Sequence, residues 1–287
     1  MTKLSVLTLT RNRSEFLENL LTGLARSSRM PDECIVVHMN EPAADSVHAK
    51  KRWPFPCHHH TYISNVALPL PQARNVAARK ASGDILLFLD VDCIPSRGMV
   101  SAYEWACQAV PESVTMGKVN YLHQDATVDW TVDGTEAMMR SQSKPHPKRD
   151  IDSIAPLIYE SDYGLFWSLS FALTRQVFEQ LGGFSNCYPS YGAEDTDFAW
   201  KARARGVPLI WVPDAVAYHQ WHTSSVPPTH NFDSIVHNAR VFYERWGEWP
   251  MGSWLANFVE KGYIEWLPSG RTLRVIERPQ QARPLFM

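Results

Sequence analysis

Residues 90–92 read Asp90-Val91-Asp92 and stand directly after the apolar run Ile85-Leu86-Leu87-Phe88-Leu89. A buried strand that ends in two carboxylates concentrates negative charge at the mouth of a sheet, which is costly unless something positive meets it. A hard divalent cation is the usual partner of clustered carboxylates. In an open α/β sheet, the edge outside the carboxyl ends of the strands is also where ligands bind. Asp90 and Asp92 are therefore candidates for a metal site with an attached phosphate. The alternative is that they cap the next helix or lie in a solvated turn.

Further clusters bear on that choice. Gly192-Ala193-Glu194-Asp195-Thr196-Asp197 places acids at an expected helix start, where the macrodipole favours them with or without a chemical role. Pro213 to His219 brings a histidine to the end of a short strand, as a structural residue or as a ligand. Gln72-Ala73-Arg74-Asn75 offers a guanidinium suited to a diphosphate, or else a surface arginine. His58-His59-His60 after Cys57 reads as a soft-metal cluster or as a loop passing into a strand with alternate rings on opposite faces. No G-x-G-x-x-G follows a strand and there is no P-loop, so dinucleotide oxidoreductase and P-loop kinase readings have no support.

The elements that must carry these residues alternate in the first half. Leu4 to Leu9 reads as a strand, followed by a helical stripe of Phe16, Leu17, Leu20, Leu21 and Leu24. Ile35-Val36-Val37 is a second strand, residues 39–58 a polar loop, and Thr61-Tyr62-Ile63 a third strand. Gln72 to Ala81 is a helix that stops at Ser82-Gly83. Repeated βα units with apolar strands imply a mostly parallel sheet covered by helices. Farther on, Ser168 to Thr174 reads as a strand, Arg175 to Leu181 and Asp195 to Arg205 as helices, and Leu209 to Trp211 and Ala215 to Tyr218 as two short strands. His230 to Trp246 is an amphipathic helix, and Ser141 to Pro156 an exposed, mobile loop.

Composition narrows the class. With 287 residues, 45% hydrophobic and 20% charged, the chain is long enough for a sizeable core and ordinary for a globular enzyme. A net charge of -2 leaves no footprint for nucleic acid. Five scattered cysteines without a C-x-x-C pair fit reduced thiols. There is no h-region and no apolar run of membrane-spanning length, so the expectation is a cytoplasmic protein, at most peripheral to the inner face of a membrane.

Taken in order, the clusters over residues 4–222 resemble the GT-A glycosyltransferases of inverting family two. The later part is similar to the beta-1,4-galactosyltransferase and chondroitin-polymerase type. The likeness rests on Thr8-Leu9-Thr10-Arg11-Asn12-Arg13, Ala73-Arg74-Asn75, Gly83-Asp84, Asp90-Val91-Asp92, Phe171-Ala172-Leu173, Gly182-Gly183-Phe184 and Tyr191 to Asp197. It implies a GT-A, Rossmann-like α/β fold over residues 1–222, with donor and metal parts in 1–118, an acceptor and base part in 160–222, and a C-terminal extension over 223–287 that shapes the acceptor site.

The resemblance also implies roles. Thr10, Asn12 and Arg13 would lie under the nucleoside of a UDP-sugar, Arg74 near the base or diphosphate, and Asp90 at the ribose. Asp92 and His219 would hold Mn²⁺, with Mg²⁺ as the alternative ion and His222 as the alternative ligand. Glu194 would hold sugar hydroxyls, and Asp195 would deprotonate the attacking hydroxyl of a glycan, glycolipid or protein acceptor. Two departures stand out. The acid that relatives carry after the second strand is replaced by His38-Met39-Asn40-Glu41, where Asn40 is the candidate substitute, and Gly192-Ala193 replaces two glycines. The 141–156 loop is a candidate lid, and Trp167, Trp221, Trp246 and Trp249 are candidate sugar platforms. Rival readings are a silent nucleotide- or glycan-binding protein and, less well matched, a nucleotidyltransferase; a glycoside hydrolase would not need the metal- and phosphate-facing groups.

Overall fold

The computed structural model describes residues 2–151, 153–223, 225 and 227–286. Strand β1 (Leu4–Thr10) leads into α1 (Ser14–Ala25), β2 (Glu33–Met39) into the short α2 (Val47–Lys50), and β3 (Cys57–Tyr62) into α3 (Leu70–Lys80). Then come β4 (Ile85–Leu89), β5 (Cys93–Pro95), α4 (Met99–Ala109), β6 (Val114–Leu122), α5 (Thr135–Ser141), β7 (Ser143–Pro145) and β8 (Ile158–Glu160). They are followed by β9 (Ser170–Thr174), α6 (Arg175–Gln180), α7 (Glu194–Ala204) and the long β10 (Leu209–His219). The C-terminal part holds α8 (Phe232–Trp246), α9 (Gly252–Glu260) and an antiparallel pair, β11 (Ile264–Trp266) and β12 (Leu273–Val275).

The main sheet runs β3-β2-β1-β4-β9-β6-β10-β5, with β7 beside β6 and β8 beside β10. Its first four strands are parallel. Antiparallel β9 joins them to the parallel pair β6 and β10. Strands β1, β2 and β4 are buried along their whole length, which is why their sequences are near-continuous apolar runs. One face packs Leu7, Ile35, Val37 and Phe88 against α3, Phe184 and Phe198. The other packs Leu4, Val6, Val36 and Leu87 against Leu17, Leu20, Leu21 and Leu24 of α1 and against Tyr103 of α4. This is the α/β, helix-flanked architecture expected from the sequence. Among the described residues no helix is long and apolar enough to cross a membrane.

Several local expectations are corrected. The 39–58 stretch carries a 3-10 turn at Ala43–Asp45 as well as α2, and β3 begins at Cys57, so all three histidines lie within a strand. The two short strands at 209–211 and 215–218 are one strand, with a register shift between Val212 and Val216 that absorbs Pro213 and Asp214. The 141–156 stretch is not a bare loop: β7 pairs with β6, and Arg149 after it is buried, while Asp152 lies outside the described residues. Strand β6 and helix α4 were not anticipated at all. Ser82-Gly83 does not end α3 through a left-handed glycine, since the residue after the helix, Ala81, is extended (φ -69°, ψ 145°). Gly83 is needed for close approach instead, because a Cβ there would lie 2.7 Å from the Ser5 backbone nitrogen.

Gly83→Ala must push β1 aside at its packed N-terminal end. The expected cost is about 1–3 kcal/mol, read as a lower urea midpoint with an unchanged m-value; an unchanged midpoint would show that this approach is slack.

Candidate functional site

Four chain segments meet at the carboxyl ends of β1, β4 and β10 and at the start of α7. After β4 the chain turns through Asp90-Val91-Asp92 and enters β5, whose Cys93 pairs with His219 at the end of β10. The Asp92 carbonyl accepts a hydrogen bond from Gln220 N at 2.7 Å, fixing the turn to the tail of β10. Asp92 Oδ1 thereby lies 3.6 Å from His219 Nε2, and Oδ2 lies 3.4 Å from His222 Nε2. The sequence left His219 and His222 as alternatives; the structure brings both to Asp92.

The donor set fits a divalent cation. The three residues offer ligand atoms within 4.8 Å of one another, the one such group found among the described residues. Asp92 Oδ1 is buried and has no hydrogen-bond partner among the described residues, which leaves it open to an ion. Burial pushes the Asp92 carboxyl up, but the His222 hydrogen bond and the two nearby imidazoles bring it below its ordinary value. The same hydrogen bond raises His222, while burial lowers His219 and favours its neutral, ligating form.

Beside this group, α3 aims Arg74 into the sheet edge. Its buried guanidinium lies 3.5 Å from Asp90 Oδ1 and 3.3 Å from Glu194 Oε1, over the ring of Phe184. Glu194 Oε2 accepts from Gly192 N at 2.8 Å, and Asp195 Oδ1 from Thr196 N at 2.7 Å. Burial, opposed by Arg74 and aided by Asp92, raises Asp90 to about 7. Burial and the charge of Asp195 raise Glu194 to about 7. Asp195 is also raised by burial, with Arg74 and backbone donors from Thr196 and Ser168 pulling the other way. One guanidinium thus serves a group of carboxylates that cannot all ionise without penalty.

The turn that delivers these acids is held from behind. Ala193 has φ 64°, the left-handed region where a second glycine would be unstrained. Asn238 of α8 donates to Ser190 O at 3.0 Å and to Gly192 O at 2.8 Å. Asp197, fully buried on α7, accepts from Tyr188 Oη, Arg245 Nε and Trp246 Nε1.

The other expected residues divide. Thr10 is buried at the end of β1; Asn12 follows with φ 52°, and Arg13 lies over Phe16. The side-chain nitrogen of Asn40 donates to Val66 O at 2.7 Å and its oxygen accepts from Ser64 N at 2.7 Å, so the amide fixes a loop rather than standing open for a base. The sequence reading passed over Glu41, whose carboxylate accepts from Asn12 N at 2.7 Å and meets His38 Nδ1 at 3.0 Å. An acid at the end of the second strand was the available signal, displaced by one residue. Arg149 was also missed: buried between the Trp167 and Trp211 rings, its three nitrogens have no hydrogen-bond partner among the described residues, and its charge reaches Asp195. Trp246 and Trp249 are tied to Asp197 and to Gly270 O, whereas Trp221 is 44% exposed.

Residues 5–147 match the family model for glycosyl transferase family 2, and residues 151–223 match the model described as the N-terminal domain of galactosyltransferase. The chain is 24% identical to validoxylamine A glucosyltransferase of Streptomyces hygroscopicus subsp. limoneus over 230 residues, covering 72% of this chain and 49% of that protein. It therefore spans about half the length of that relative. Among solved structures, GalNAc-T7 with UDP, GalNAc and Mn²⁺ superimposes with TM-score 0.58 at 16% identity, over 85% of this chain and 50% of that one. S. aureus TarS 1-349 in complex with UDP-GlcNAc does so with TM-score 0.59 at 15% identity, over 84% and 66%. With two family models laid end to end over the sheet and its acidic edge, the chain belongs to glycosyl transferase family 2 and has the GT-A fold.

Proposed function

We propose that the chain transfers a hexose or N-acetylhexosamine from a UDP-sugar to a hydroxyl of a glycan, a lipid-linked sugar or a protein, with inversion and with a divalent metal. The observation that carries this reading is the placement of Asp92, His219 and His222 at one sheet edge with the Glu194-Asp195 pair, joined through Arg74 and Asp90. The names of a glucosyltransferase relative and of neighbours solved with UDP and UDP-GlcNAc support the donor class.

Asp92, His219 and His222 would hold the ion, and a mixed oxygen and imidazole set favours Mn²⁺ over Mg²⁺. When bound, the ion would supply Lewis-acid neutralisation of the diphosphate charge. Thr10 at the end of β1, and Asn12 and Arg13 in the loop that Glu41 holds through Asn12, would lie under the nucleoside. Arg74 orients Glu194, leaving it to bind sugar hydroxyls. Asp195 takes the proton of the incoming hydroxyl as the new bond forms on the face opposite the leaving group. Burial raises the basicity of Asp195 toward the operating pH, which improves a general base as long as it stays ionised. Residues 1–222 form the catalytic unit in this reading, and residues 223–287 hold the acidic turn and border the acceptor.

Three variants test it. Asp195→Asn keeps UDP affinity and lowers transfer by about 10²–10⁴-fold; near-native turnover removes Asp195 as the base. Because the folded pKa of Asp195 is raised, native activity climbs with pH across a limb above the ordinary carboxylate range, and the residual activity of the variant lacks that limb. Mn²⁺ with UDP raises the melting temperature of the native chain and not that of Asp92→Asn, and EDTA reverses the shift; an equal rise in both proteins places the ion elsewhere. Arg74→Met leaves Asp90 and Glu194 without their counter-charge and costs about 3–5 kcal/mol at pH 8. The loss shrinks toward pH 6, where both acids take up protons; a pH-independent loss contradicts this account of the pair.

A further inference from the structure

The second strand pair carries a thiol cluster away from the acidic edge. Cys57 opens β3, the edge strand, and stands in register with Cys34 of β2. Adjacent strands run about 4.8 Å apart, inside the roughly 4.4–6.8 Å Cα separation that a disulfide spans. Cys34 is fully buried and Cys57 is partly exposed, both as free thiols. Two residues along the same face, His59 Nε2 lies 3.4 Å from Cys57 Sγ. From there the contacts continue: His59 Nδ1 to His38 Nε2 at 2.9 Å, His38 Nδ1 to Glu41 Oε1 at 3.0 Å, and Glu41 Oε2 to Asn12 N at 2.7 Å.

We propose that Cys57 and Cys34 are a redox-active thiol pair, Cys57 attacking and Cys34 resolving, and that its oxidation is transmitted through His59, His38 and Glu41 to the loop at Asn12. The chemistry of the pair stands on its own; its meaning for catalysis rests on the donor reading of that loop given above.

The two thiols are differently prepared. The adjacent Cys34 thiol, with His59 beside it, holds Cys57 down at about 6, against a desolvation effect that opposes them. Cys34 is pushed well up, chiefly by the adjacent Cys57 and by burial. At neutral pH the accessible sulfur is therefore the thiolate and the buried one keeps its proton, an arrangement suited to attack followed by resolution. Cys93 and Cys107 are buried with raised pKa, and exposed Cys187 is raised by burial of its sulfur, so none of them matches this setting. With a small disulfide such as oxidised glutathione as the oxidant, Cys57 thiolate attacks one sulfur and releases a glutathione thiolate. Cys34 then loses its proton, attacks Cys57 Sγ and releases the second glutathione. The pair loses two electrons and the reagent gains them.

The test uses the full chain. A brief N-ethylmaleimide pulse at pH 6.5 should label Cys57 about 10-fold faster than the more exposed Cys187, and His59→Gln should remove that preference. After oxidised glutathione, peptide mapping should show a Cys34–Cys57 cross-link in the native chain and a persistent glutathione adduct on Cys57 in Cys34→Ser. Faster labelling of Cys187, or a persistent Cys57 adduct in the native chain, overturns the pair. Hydrogen exchange reads the transmission without nucleotide: cross-linking should speed exchange of the Asn12 amide, and unchanged exchange overturns that link. Failure to bind UDP in the reduced chain would sink the donor reading and leave these thiol results standing.

Discussion

The acidic edge depends on one buried cation. Arg74 has almost no contact with solvent, yet it faces Asp90 at the end of β4 and Glu194 at the start of α7. These two elements come from opposite halves of the chain. Desolvating a guanidinium is expensive, and its cost is offset here only because both carboxylates are present and well placed. Once Arg74 is fixed, the first turn of α7 is fixed, and Asp195 is carried into place by its neighbour.

The same arrangement divides the edge into two electrostatic compartments. Asp92 is served by His219 and His222 and stays ionised, while Asp90, Glu194 and Asp195 share Arg74 and are held toward their protonated forms. In the proposed reading a cation would find its charged oxygen at Asp92. Asp195, the proposed base, remains on the Arg74 side, where its affinity for a proton is raised. Environments that push similar groups apart in pKa are how one site runs distinct tasks with the same chemical groups.

What could be read from sequence follows physical legibility. Strands β1, β2 and β4 are buried on both faces, so each announces itself as an unbroken apolar run; α1 and α8 announce themselves by stripe. Strand β6 does not, because Gly117 and Lys118 interrupt its pattern. Gly117 is required there since any side chain would run into the Ala215 carbonyl where β10 bulges, a constraint set by a partner almost a hundred positions away. The candidate site was legible where it is local: acid-x-acid after a strand, acids at a helix start, histidine at a strand end. Glu41 and Arg149 were not, since their roles come from contacts with Asn12, Trp167 and Trp211 that no spacing encodes. The bonds of Asn40 were hidden for a related reason: its amide holds a loop at residues 64–67 that only the fold brings to it.

The C-terminal region enters through strain. Both family models end by residue 223, and α8, α9 and the β11–β12 pair build a separate apolar cluster around Phe232, Ile235, Leu255 and Phe258. Yet the turn that presents Glu194 and Asp195 contains Ala193 in a conformation costing roughly 1 kcal/mol or more for a residue with a Cβ. Such a turn persists only where its surroundings over-determine it. That over-determination comes from Asn238, which gathers the carbonyls of Ser190, Tyr191 and Gly192, and from Arg245 and Trp246, which close on Asp197 one turn into α7. Helix α8 is thus part of the device that holds the acids, because its donors add to Arg74 and the Gly192–Glu194 bond in keeping the left-handed turn at Ala193 from relaxing.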